Sequence, residues 1–175
     1  MVLVLISLVV FLAYLLGVYV YLGIPYSISD TYYKLERRKR GLGWLFTAMC
    51  WGVACPLLPY LLGVTPDGFR FTAFLACAGL LFVGAAPQFK LPLTGSVHYG
   101  SAAVCVILSQ VWVSLACWWV LIPVWLTYIV YTVVDMSRHV TSSLRDDFME
   151  TMPMFWIEVA AFVAVYAAIF LIQNS

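Results

Sequence analysis

Five ionisable side chains stand beside or inside long uncharged runs: Asp30, Lys90, His98, Asp135 and Glu158. Charge at membrane depth is costly, so groups in such positions tend to mark function. A histidine oriented by a carboxylate can take a proton from a hydroxyl or a water. The residue types for that are present in Ser27 or Ser29, His98, and Asp30 or Glu158, and Lys90 is suited to hold a phosphate. The same groups would also bind a polar headgroup without reacting with it. Each has an ordinary reading too. Asp30 lies between Ser29 and Thr31, where such residues cap a short helix carrying Tyr32, Tyr33 and Leu35. Glu158 can snorkel or pair with Lys90 or an arginine to close a bundle, and His98 can be a helix-start residue with a satisfied hydrogen bond. Asp135, followed by Arg138 and His139, reads as a solvated helix end.

The elements that must position these groups are membrane spans. Of the 175 residues, 65% are hydrophobic and 10% charged, and the mean hydropathy is +1.00. Soluble domains run near about 45–50% apolar and about 25% charged. A globular fold of this length could not bury so much apolar surface, so its solvent must include lipid. The net charge of +1 gives no electrostatic footprint for nucleic acid.

A spanning helix needs roughly 20 apolar residues. Spans are predicted over residues 2–24, 44–63, 69–86, 98–115, 118–135 and 153–172, giving an all-α bundle in one domain. The first has no basic flank and too long an apolar run for a cleaved signal peptide, and reads as an anchor. The second carries Pro56 and Pro59, tolerated where neighbours satisfy the freed carbonyls. The third is rich in small residues (Ala73, Ala76, Gly79, Gly84), which let backbones approach and place it centrally. Residues 98–136 as one helix would be about 60 Å long, so a turn is expected near Ser114–Trp118. Pro153 suits a first helical turn.

Lysine and arginine then set the sidedness. Lys34, Arg37, Arg38, Lys39, Arg40, Lys90, Arg138 and Arg145 fall in the loops after spans one, three and five, and only Arg70 lies opposite. The positive-inside rule makes those loops cytoplasmic and both termini external. Asp30, Lys90, His98, Asp135 and Glu158 are then expected at one height near the inner headgroups, where they can line one polar mouth. The basic run 34–40 doubles as an attraction for anionic lipid.

His98, Ser101, Cys105 and Ser109 share a face of the fourth span, with Gln110 beside them. They form either a polar seam leading inward or a stripe of small residues for close packing. The five cysteines (50, 55, 77, 105, 117) lie in apolar runs without metal-ligand spacing and read as small hydrophobes. Tyr26, Trp44, Tyr60, Trp118, Trp119 and Trp156 fit interfacial belts. The sequence lacks a Gly-rich phosphate loop, a paired-histidine zinc motif and a Gly-x-Ser-x-Gly elbow. His98 and His139 cannot make a three-histidine zinc site, so neither metal nor cofactor is expected.

Two stretches resemble the Frag/DRAM/Sfk-like superfamily of six-span membrane proteins. Pro25-Tyr26-Ser27-Ile28-Ser29-Asp30-Thr31, with Leu45-Phe46 opening the second span, resembles its P-x-ISDT…LF signature. Gly84 to Phe89 and then Val97-His98-Tyr99-Gly100-Ser101-Ala102 resemble the segment before its fourth helix. The resemblance implies a six-span fold, a lipid-linked role, and Ser29, Asp30 and His98 as matching positions. Two departures stand beside it: Tyr32 occupies the family's glycine, and the sidedness derived above puts the motif loop inside rather than on the lumenal face.

The leading expectation is an inner-membrane protein, bacterial in type, that binds a lipid or small amphiphile at a cytoplasmic-facing mouth of Ser29, Asp30, Lys90, His98 and Glu158. A second is an enzyme acting on a lipid headgroup or acyl bond, with His98 as base, Asp30 or Glu158 orienting it and Lys90 on phosphate. A third is a transporter or channel relaying protons or ions along the span-four seam. Membrane lipid is the expected partner, nucleic acid is not, and a homo-oligomer stays open.

Overall fold

The computed structural model describes residues 1–89, 93–138 and 143–174. Within them the chain is helical, and five stretches are long and apolar enough to cross a membrane. Helix α1 is Val2–Leu22, and the short α2 is Thr31–Arg38. Helix α3 is Trp44–Val64 and continues through Pro56 and Pro59. Helices α4 (Arg70–Ala85) and α5 (Leu93–Cys117) follow. A single 3-10 turn leads to α6 (Leu121–Met136), then a short α7 (Leu144–Glu150) and α8 (Pro153–Gln173). The 21 residues of α1, α3 and α8 each make a rod roughly 32 Å long, the thickness of the hydrocarbon layer.

Helix α5 starts at Leu93, five residues ahead of the span expected from residue 98. Thr94, Gly95 and Ser96 look loop-like by composition, yet they form the first turn of the helix, where the Thr94 hydroxyl donates to the Phe89 carbonyl at 2.7 Å. His98 therefore sits inside α5 instead of at its first turn.

The apolar stretch Leu93–Met136 is two arms and not one rod. The start of α8 lies against the loop after α1, where the Phe155 N–H donates to the Tyr26 carbonyl at 3.0 Å. The start of α5 lies at the same end, because Ala102 shares a cavity with Ile28 and Glu158. A chain that begins α5 and α8 at one end must travel out and return between them. Cys117 (φ −161°, ψ 62°) breaks the helical run, inside the expected turn. Trp125 Nε1 then donates to Gln110 Oε1 at 3.2 Å. In a straight helix those Cα atoms would be about 22 Å apart. The chain thus threads the bundle six times.

Helix α4 packs between α3 and α5 and is the most deeply buried span. Its glycines are the reason. A Cβ on Gly79 would stand 2.8 Å from the Ser101 carbonyl oxygen, and one on Gly84 would stand 2.7 Å from Cys50 Cβ. Neighbouring contacts run α1 to α3, α3 to α4, α4 to α5 and α5 to α8. Side chains close the ring: Phe11 and Phe162 stack with centroids 4.3 Å apart. Ser7 joins three helices there, donating to the Val53 carbonyl at 3.1 Å and bonding the Tyr166 hydroxyl at 2.6 Å. Such interhelical bonds stabilise a membrane bundle by about 0.6–2 kcal/mol each. Helix α6 lies outside the ring against α8, with Tyr131 on Trp156 at 5.0 Å and only Thr132 buried.

Candidate functional site

The segment between α1 and α2 is folded by its own hydroxyls. Gly23 (φ 74°) ends α1 in a conformation that suits glycine. Ser27 Oγ accepts the Asp30 amide at 3.0 Å and bonds Ser29 Oγ at 3.0 Å. Thr31 donates its hydroxyl to the Ile28 carbonyl and meets the Tyr14 hydroxyl from α1. This knot presents the Ile28 N–H toward α8, where the Glu158 carboxylate accepts it. The Tyr26 carbonyl receives the Phe155 N–H, one of the amides that a helix start leaves without an internal partner. Two bonds therefore pin the loop to the first turns of α8.

Glu158 lies five residues into α8, about 8 Å below its start. It lines a cavity of about 80 Å³ with Ile28 and Ser29. The remaining wall is apolar, from Phe46, Leu80, Ala102, Phe162 and others, except for Ser109 deep inside. Small Ala102 and Ala161 face the large Phe46 and Phe162, which leaves the space. A further cavity of about 40 Å³ shares Leu80, Cys105, Ser109 and Val165 with the first and ends at Trp112. There the Trp112 indole donates to Thr65 Oγ1 at 2.7 Å, and the Thr65 hydroxyl donates to the Leu61 carbonyl at 2.6 Å. The slot is thus polar at the α2 end and stoppered at the other.

Of the expected mouth residues, Ser29 and Glu158 share this cavity. Asp30 does not line the cavity and forms an ion pair with Lys34 at 3.0 Å. His98 lies along the backbone of Val83 and edge-on to the Tyr99 ring at 5.5 Å. No hydrogen bond or ion pair among the described residues joins His98 to Asp30 or Glu158. Lys90 and His139 lie outside the described residues, and Asp135 does not line the cavity. From the expected seam, Cys105 and Ser109 reach the cavity wall. Gln110 instead ties three helices: its amide donates to the Ala161 carbonyl at 3.3 Å while its oxygen accepts Trp125. Sequence reasoning missed the Ile28 amide, a backbone group that composition cannot flag. No three His, Cys, Asp or Glu among the described residues are grouped to hold a metal ion.

No family model, curated protein or solved structure matches the chain. The site therefore rests on its own geometry.

Proposed function

We propose that this membrane protein binds a small amphiphile or the end of a lipid acyl chain, with the polar end at Glu158 and Ser29 and the tail in the slot toward Trp112. One observation carries the reading: the internal cavity is apolar along its length and polar at one end. Its volume suits a single chain end and not a whole phospholipid. The basic loops argue that this end faces the cytoplasm, in an inner membrane of bacterial type. Kinship with the Frag/DRAM/Sfk-like proteins belongs to the same proposal, since the segment Pro25–Thr31 that carries the resemblance is the loop held by Glu158.

The alternatives draw less support. Catalysis by His98 would need its ring at Glu158 or Asp30, and those groups have the partners described above. Conduction past Gln110 would need an amide free to reorient, whereas Gln110 is bonded on both sides and Trp112 stoppers the path.

The test is native mass spectrometry of the purified protein with a saturated fatty acid and a lysophospholipid as probes. Filling the cavity with Ala161→Phe should lower retention of the preferred probe about tenfold, equivalent to about 1.4 kcal/mol. Glu158→Gln should weaken it less, by changing only the polar end. A correctly folded Ala161→Phe protein, judged by circular dichroism, that retains both probes as the parent does would overturn the reading.

A further inference from the structure

A second concavity lies on the outside of the bundle, where α1, α2 and α3 meet. It is about 440 Å³ and is floored along α1 by Ala13, Tyr14, Gly17 and Tyr21. From residue 13 to residue 21 that floor runs about 12 Å along the helix axis. Leu35, Leu42 and Leu45 close its sides, and Lys39 stands at its α2 end. Gly17 leaves it open, since a Cβ there would meet nothing within 4 Å.

Charge at that end is one-sided. Arg37, Arg38, Lys39 and Arg40 are all exposed. Lys34 is held by Asp30, and Glu36 is occupied by the Gly41 and Gly43 amides. Arg40 interacts electrostatically with Glu36, and no carboxylate among the described residues forms an ion pair with Arg37, Arg38 or Lys39. An apolar furrow that ends under Arg37, Arg38 and Lys39, cations without a carboxylate partner among the described residues, matches one kind of occupant. We infer that the α1–α2–α3 furrow is a binding site for an anionic phospholipid, with one acyl chain along Gly17 and the phosphate at Lys39. A zwitterionic lipid would match the cations only in part. Anionic lipid gains about 1 kcal/mol for each basic residue near the headgroup plane. The furrow lies on different helices from the internal slot apart from α3, so the inference stands or falls separately from the proposed function.

The protein is reconstituted with equimolar phosphatidylglycerol and phosphatidylcholine, and the retained lipid is counted by native mass spectrometry. The parent should keep phosphatidylglycerol in preference. A Cβ at Gly17 meets nothing within 4 Å and leucine is a good helix former, so Gly17→Leu should fold while its side chain occupies the furrow. It should cut retained phosphatidylglycerol about tenfold, an energy of about 1.4 kcal/mol. Lys39→Glu should abolish the preference between the two lipids, whereas Gly63→Ala, where an added Cβ meets nothing within 4 Å, should leave it unchanged. Equal retention of the two lipids by the parent would overturn the inference. So would undiminished phosphatidylglycerol in Gly17→Leu, or a lipid-free dimer that Gly17→Leu dissociates.

Discussion

The Glu158 carboxylate accepts the backbone N–H of Ile28 across 130 positions of sequence, joining the last span to the loop that follows the first. One carboxylate thus performs a structural task with one oxygen while it lines the internal slot. The two tasks separate by substitution. Glu158→Gln keeps an oxygen to accept the amide, whereas Glu158→Ala leaves the Ile28 N–H without its partner. Loss of a buried acceptor costs about 1–3 kcal/mol. Thermal or SDS-induced unfolding should therefore show Glu158→Ala clearly destabilised and Glu158→Gln close to the parent. Equal destabilisation of both would mean that the charge, and not the amide bond, holds the loop.

The backbones of α4 and α5 touch at Gly79, whose added Cβ would meet Ser101 O at 2.8 Å and Cys105 N at 2.9 Å. Both are backbone atoms and cannot rotate aside. Gly79→Ala should cost about 1–3 kcal/mol, as overpacking does. Gly63, with nothing within 4 Å, is the matched control: Gly63→Ala should be neutral or slightly stabilising. The two variants measured side by side in the same unfolding assay distinguish close packing from a general intolerance of substitution.

The link from α2 to α3 should respond to pH. Glu36 accepts the Gly41 amide at 2.9 Å and the Gly43 amide at 3.1 Å, and these bonds hold its carboxyl below the usual glutamate value. A folded-state value that is depressed gives stability fully present above the unfolded value and lost as pH falls through the folded one. Hydrogen-exchange protection of the Gly41 and Gly43 amides, corrected for intrinsic exchange, should therefore decline in acid. Glu36→Gln should show weaker protection that no longer changes over that range. Unchanged protection in the parent through the acid limb would rule out this role for Glu36.

What could be read beforehand divides along a physical line. Counting residues gives length: the span-length helices, the turn near Cys117 and the distance of about 8 Å from the start of α8 to Glu158 all follow from a rise of about 1.5 Å per residue. Small residues on α4 announced its central place because only Gly79 and Gly84 permit that approach. Azimuth is a different matter. Asp30, His98 and Glu158 were expected at one height, yet Asp30 turns to Lys34 and His98 to the backbone of Val83. Rotation about a helix axis is set by every neighbour it packs on, and depth does not contain it. The seam on α5 shows the same division. Its shared face was legible, but whether Gln110 bonds a ligand or Ala161 and Trp125 was not.

The ring closes on α8, and that has a bearing on biosynthesis. Phe162, Tyr166 and Glu158 supply the contacts to α1 and its following loop, and α8 is the span against which α6 packs most extensively. Helices α1 to α6 leave the ribosome before their shared neighbour exists. During that interval α6 has only its contacts with α5, such as Trp125 on Gln110, and the slot has no fourth wall. Arrival of α8 is the event that turns a row of inserted helices into a container.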